Sequence, residues 1–212
     1  GSLFFGNATG TKTFIGTVTN NGTWSNTANS SIVFRGGFIN NGNFISGSGT
    51  YTFNNASQTI SGTSPMVFDG IVAITGSISI SNSNHVTISG NLTGSVTGST
   101  WINGANSTLK AGNAVLANGT LNATASGNTV IYSRNGTQTV KPTTYYNLHL
   151  GGTSAKTTSG ITVNNILKME GTATATVAPT YGAGASLRYD RTDAQIAGAE
   201  WPVTFSGTGG VK

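Results

Sequence analysis

The stretch from Asn128 to Leu150, NTVIYSRNGTQTVKPTTYYNLHL, decides how the chain is read, because two other stretches repeat its order of residue types. It passes from an apolar and aromatic strand through a polar turn to a Gln, then to a short apolar burst, a turn, and an aromatic that opens the next strand. Gly49 to Ile74, GTYTFNNASQTISGTSPMVFDGIVAI, keeps that order with Gln58 in the place of Gln138, and Ala185 to Phe205, ASLRYDRTDAQIAGAEWPVTF, keeps it with Gln195. Phe53, Tyr132 and Tyr189 lie five, six and six residues before their Gln, and Phe68, Tyr146 and Trp201 lie ten, eight and six after it. Three loose copies mark an array of repeats. Gln58, Gln138 and Gln195 are then expected at equivalent corners, bonded to backbone groups of a neighbouring coil, since a buried amide without partners costs about 1–3 kcal/mol.

A shorter period runs through the first quarter of the chain. Asn20-Asn21-Gly22-Thr23-Trp24 recurs as Asn40-Asn41-Gly42-Asn43-Phe44, and Ala117-Asn118-Gly119-Thr120-Leu121 is a weaker echo. Asn-Gly supplies the positive φ of a tight turn, and the residue two places after Gly returns to strand. Between turns the apolar residues alternate, as in Ile78, Ile80, Val86, Ile88, Leu92 and Val96, and nothing has a helical period. The steps from Gln58 to Gln138 and from Gln138 to Gln195 are close to four and three multiples of the shift from Asn20 to Asn40. That spacing favours an all-β fold over a sandwich or a barrel: a right-handed parallel β-helix, a β-solenoid with coils of about 20 residues, about ten of them. The small residues from Gly171 to Gly184 predict a looser coil or a protruding loop. Gly1-Ser2 has the form of a cloning scar, and residues 3–212 read as one solenoid domain whose last residues carry no polar cap, as expected of a piece of a longer array.

Composition narrows the class. Of 212 residues 7% are charged and 36% hydrophobic, with 31 Gly and 4 Pro, so the surface is covered by Thr, Ser, Asn and Gly, as in extracellular β-structure. There is no Cys, hence no disulfide, thiol nucleophile or Cys-based metal site. No apolar run approaches the roughly 18 residues of a membrane span, so membrane insertion is not expected. The formal charge of +5 is scattered over ten Lys and Arg that never form a run, which predicts mild attraction to polyanions and no specific nucleic-acid partner.

The phrases GTYTFNNASQTISG, NTVIYSRNGTQTVKPTTYYNLHLGG and SLRYDRTDAQIAGAEWP, with the Asn-Gly-Thr turns, resemble the repeat units of large secreted β-solenoid proteins of Bacteroidetes-type bacteria, which are adhesin-like surface proteins. The likeness covers the chain from about Gly16 onward. It implies a stalk or display surface outside the cell or on its surface, with cell-surface glycans, another surface protein or further repeats as partners. No functional residue carries over, because the matching positions are turns and core.

Candidate chemistry is sparse. Asp190, Asp193 and Glu200 gather three of the five acids into one short stretch, the pattern of a carboxylate pair in polysaccharide-active β-helix enzymes. Their plainer reading is a polar turn beside Arg188 and Arg191. His85 and His149 stand far apart in the chain, and His149, between Leu148 and Leu150, is expected to point outward. No metal or cofactor is expected, since calcium needs about six oxygen ligands and the chain is poor in carboxylates. Trp101 and Tyr181 fit no repeat and sit beside Gly-rich turns, so they are the expected exposed pair for stacking on a sugar ring. Thr17-Val18-Thr19 and Thr172 to Thr176 raise an ice-binding alternative, but a Thr ladder must recur on every coil. The expectation is a non-enzymatic stalk or ligand-display segment.

Overall fold

In a computed structural model, residues 1–190, 196–205 and 208–211 are described. They form short parallel strands and no helix. Every strand pair is parallel, and partners lie about one coil apart in sequence: Lys12 beside Ile32, Ile32 beside Tyr51, Val72 beside Leu92, Leu148 beside Leu167. The chain is therefore a β-solenoid of about nine turns, as the spacing predicts. A regular coil contributes three strands, one to each of three faces. Thr23–Ser25, Ile32–Phe34 and Phe38–Asn40 make one coil, and His85–Ile88, Leu92–Gly94 and Thr100–Asn103 another. We call these the first, second and third faces in chain order.

Strands form where period-2 alternation lets one side of the backbone point inward. Ile32, Phe34, Tyr51, Phe53, Val72 and Ile74 are buried on the second face while Val33, Thr52 and Ala73 between them are not. Along the axis the inward residues stack in columns such as Leu109, Val130, Leu148, Leu167 and Leu187. The first four coils are filled by rings, with Trp24 5.8 Å from Phe34 and Tyr51 5.0 Å from Phe68, centroid to centroid. From the fifth coil the core is mainly aliphatic. In the last coils the corner between the third and first faces loses its turn. Thr144–Leu150 and Thr162–Glu170 each run through it as one strand, with a bulge between Tyr145 and Asn147.

That corner also carries a column of buried Asn side chains. Asn20 Nδ2 donates to Asn40 Oδ1 at 2.8 Å, and Asn82 Nδ2 donates to Asn103 Oδ1 at 2.9 Å. Asn103 Nδ2 donates to the Thr129 carbonyl at 3.2 Å, and Asn147 Nδ2 to that of Asn128 at 2.9 Å. An amide both donates and accepts, so stacked amides satisfy one another at the strand separation.

Three expectations are corrected. Gly22 and Gly42 do not have the positive φ expected of their turns, whereas Gly119 does, at +104°. Gly42 is required for a different reason: a Cβ there would stand 2.1 Å from the Gly22 carbonyl oxygen of the coil beneath. The stretch after Gly171 is no protruding loop. Thr172–Ala175 is a regular second-face strand on Thr153–Thr157, with Ala173 and Ala175 buried, because small inward residues still stack.

Gln58 and Gln138 are not at equivalent corners. Gln58 lies where the second face turns into the third, Gln138 where the first turns into the second. Coils between them are longer than the early ones, since Ile80 lies beside Trp101 and Val86 beside Leu109. The step from one Gln to the other therefore falls short of four whole coils. What recurs is local. Each Gln amide donates to the carbonyl of the residue beneath the preceding aromatic, Phe34 under Phe53 at 3.0 Å and Ala111 under Tyr132 at 3.1 Å. Gln195 lies outside the described residues.

The Asn column yields a stability prediction. Asn103→Ala is expected to cost about 1–3 kcal/mol, by removing partners of the Thr129 carbonyl and of the Asn82 amide. Asn103→Asp should cost more, since an ionised carboxylate cannot donate. Equilibrium urea denaturation of the three proteins measures the order, and equal midpoints would contradict it.

Candidate functional site

Among the described residues the ladders of the first and second faces are interrupted, and that of the third is reduced to the bridge of Ala123 to Tyr145. On the first face, the step from Asn43–Ile45 to Met66–Phe68 carries no ladder. Phe44 packs on Phe68 there at 5.1 Å, and the Asp69 N–H donates to Ser46 Oγ at 2.9 Å. The second-face interruption is wider. Its sheet runs from Lys12–Phe14 to Leu92–Gly94 and reaches Val115 by a single bridge to Leu92; a separate three-stranded sheet then begins at Gln138–Thr139. In the sixth coil the segment Gly112 to Asn118 makes no strand. Leu116, buried, takes φ +46°, a left-handed conformation uncommon for a residue with a branched side chain. Side chains cross the gap in place of backbone. Gln138 Nε2 donates to the carbonyls of Ala111 and Asn113 at 3.1 and 2.7 Å, and Lys141 Nζ donates to that of Leu116 at 2.6 Å.

A groove of about 590 Å³ opens at this break, walled by Ala114, Val115 and Ala117 below, by Arg134, residues 137–139, Lys141 and Pro142 above, and by Thr157 of the next coil. Its Lys141 wall is held from behind. The Tyr132 hydroxyl accepts from the Lys141 N–H at 2.9 Å, and the Tyr145 hydroxyl donates to the Lys141 carbonyl. Burial pushes the Tyr132 phenol up to about 12, so it stays a neutral partner. Next to the groove, Lys156 is wholly buried. Its Nζ donates to the carbonyls of Arg134, Gly136 and Thr153 at 2.6, 2.9 and 3.1 Å. Burial, and then the charge of Arg134, lower its pKa from the ordinary lysine value.

The residues singled out from the sequence are placed elsewhere. Trp101 is 0% exposed, stacked between Ile80 and Leu121 on the third face, and Tyr181 is 5% exposed with its hydroxyl donated to the Glu200 carbonyl at 2.6 Å. They are not an exposed pair, because alternation turns both inward. The aromatics following each Gln are not equivalent either: Phe68 is buried, Tyr146 half-buried and Trp201 exposed.

Of the three clustered acids, Glu200 and Asp190 have different partners among the described residues. Glu200 is buried, and its carboxylate accepts from the backbone N–H groups of Gly198 at 2.8 Å and Ala175 at 3.3 Å and from the Tyr189 hydroxyl at 3.1 Å. It serves there as a cap on the second-face strand Thr172–Ala175. Asp190 is exposed and pairs at 2.5 Å with Lys168, which also holds Glu170 at 2.8 Å; the Lys168 hydrogen bond keeps the Asp190 carboxyl below its usual range. Asp193 lies outside the described residues. His149 points outward beside this cluster, 3.7 Å from Glu170, and His85 is exposed with Nδ1 2.9 Å from Thr108 Oγ1.

Comparison of the chain with protein-family models, with curated proteins and with solved structures found no match. Sequence reasoning missed the groove. The signal it left is the absence of a β-branched burst between Ala111 and Thr120, where the chain reads Gly-Asn-Ala-Val-Leu-Ala-Asn-Gly.

Burial lowers the His149 pKa from 6.5, the pull of Glu170 and Asp190 opposing it and the charges of Lys168 and Arg188 adding to it. The unfolded chain therefore binds a proton at a higher pH than the folded one, and stability rises with pH through the window below about 6.5. Melting temperature should fall on acidification through that window, and fall less in His149→Gln. A second measurement compares two buried indoles. Trp24 Nε1 donates to the Tyr51 hydroxyl at 3.2 Å, while Trp101 Nε1 has no partner among the described residues. Trp24→Phe should thus cost about 1 kcal/mol more than Trp101→Phe in equilibrium unfolding.

Proposed function

We propose that the chain is a non-enzymatic segment of a secreted or cell-surface adhesin-type protein, acting as a rigid spacer and ligand-display surface. The observation that carries this reading is the stack of about nine coils joined by parallel ladders, with a continuous buried core and an outer surface of mostly uncharged polar residues. In such a stack each coil touches its neighbours alone, so length extends without redesigning a core, and weak contacts repeated along a face sum by multivalency. The engagement of Glu200 with backbone N–H groups and of Asp190 with Lys168 supports a structural role for these acids over a catalytic one. The partners proposed are surface glycans, a second surface protein or further coils.

Ice binding is a second reading, favoured by one local observation. Thr144, Thr162 and Thr180 stand in register on the outer side of the third face over three late coils. In earlier coils that outward side holds Thr59, Ser81, Ile102 and Asn122 in register, and the Ile and Asn break a flat hydroxyl ladder.

Single-molecule energy transfer between dyes at Ser2 and Thr208 tests the spacer reading. Stacking at about 4.8 Å per coil predicts a narrow distribution centred on the order of 45 Å. A broad distribution would end that reading, thermal hysteresis in an ice assay would install its rival, and polysaccharide turnover abolished by Asp190→Asn would make the chain an enzyme.

A further inference from the structure

The groove between the sixth and seventh coils is not demanded by stacking, since the first and third faces keep their backbone contacts there through Leu109 beside Val130 on one and the bridge of Ala123 to Tyr145 on the other. Its charge is also one-sided. Arg134 and Lys141 line it and Lys156 lies behind the Arg134–Gly136 turn, whereas the ion pairs among the described residues join only His149, Lys168, Glu170 and Asp190. The Arg134 guanidinium has no hydrogen-bonded partner among the described residues, and Lys141 Nζ, with one bond to Leu116, keeps two donors. A low-charge protein thus holds three cations around one concave opening, at a backbone position kept in place by two buried phenols.

We infer that this groove binds an acidic oligosaccharide, with Arg134 and Lys141 receiving its carboxylate or sulfate group. The inference gives the display reading a ligand class and rests on it. An Arg fork matches the paired oxygens of either anion, and the ammonium of Lys141 adds a point charge beside it. Thr137, Thr139 and Thr157 offer hydroxyls to sugar hydroxyls, while Val115 and Pro142 offer apolar surface to a ring face. The volume of about 590 Å³ falls within the roughly 300–1,000 Å³ of small-ligand sites. Among the described residues no aromatic ring lines the groove to stack a base, which disfavours a nucleic acid. Along the broken ladder the carbonyls of Ala111, Asn113 and Leu116 are already taken by Gln138 and Lys141, which disfavours a peptide adding as a strand.

Isothermal titration calorimetry of the full chain with three probes tests this: a hexamer of galacturonic acid, a heparin-derived hexasaccharide, and neutral cellohexaose. At least one acidic probe should bind, with affinity falling as salt rises, and cellohexaose should not. The probe that binds tells carboxylate from sulfate. Arg134→Ala should weaken binding about tenfold, the loss of one charge-assisted fork, while Arg35→Ala, an exposed Arg at another corner, should not change it. Both variants should melt with the parent protein. Silence with both acidic probes, equal binding of cellohexaose, parental affinity in Arg134→Ala, or equal weakening in Arg35→Ala would each overturn the assignment. So would displacement of the acidic probe by an equimolar single-stranded oligonucleotide. If both acidic probes fail while the dye distance stays narrow, the groove assignment falls and the spacer reading stands; a broad dye distance with acidic probe bound does the reverse.

Discussion

Stacking coil on coil at about 4.8 Å fixes what each inward position can hold, because the neighbours of every inward side chain along the axis are its own equivalents one coil away. Apolar residues meet that constraint by volume, as in the Leu109 to Leu187 column. A polar residue meets it only if it both donates and accepts in the plane of its neighbour, which is why amides hold the buried corner between the third and first faces. The same closeness excludes any side chain at Gly42, where one carbonyl already occupies the space a Cβ would take. Core, corner and turn thus answer to a single spacing.

Where that spacing fails, side chains take over from backbone. At the second-face break, Gln138 and Lys141 reach across to the Asn113 and Leu116 carbonyls of the segment that makes no strand, and Leu116 accepts a left-handed conformation. At the Thr172–Ala175 strand, Glu200 offers a carboxylate oxygen to the Ala175 N–H. The buried Lys156 ammonium does the converse, gathering three carbonyls at once. Lys141 and Glu200 thus bond backbone groups at irregular coils, and Lys156 adds a donor to the Arg134 and Thr153 carbonyls beside their backbone partners, the buried polar groups being satisfied as hydrogen-bonding energetics require.

The fold was legible because alternation and a coil-length period survive loose copying. The individual sites were less so, for identifiable reasons. Trp101 looks unassigned in a linear reading, yet its place in the column Ile80, Trp101, Leu121 makes it an ordinary core residue once slightly longer coils are allowed for. Gln58 and Gln138 share a phrase of sequence but serve different corners, since a Gln cap needs only a preceding aromatic and the carbonyl beneath it. Tyr181 and Glu200 are partners through a contact between coils that no spacing rule predicts. The groove was hidden most thoroughly, because it is made by a strand that does not form.

The ladders that join coils point along the length of the molecule, so a pull on its two ends loads them directly. A regular cross-section resists with three sheets of backbone bonds. Between the third and fourth coils two full ladders remain, on the second and third faces. The boundary between the sixth and seventh coils is weaker, with one full ladder on the first face, a single bridge on the third, and one amide and one ammonium across the second. Under tension in a surface-anchored chain, parting would begin at that boundary, and the rod would open as a book opens, with the first face as its spine and the second as the fore-edge. On the spacer reading proposed above, such a rod would carry its mechanical fuse at a defined coil, next to the opening lined by Arg134 and Lys141.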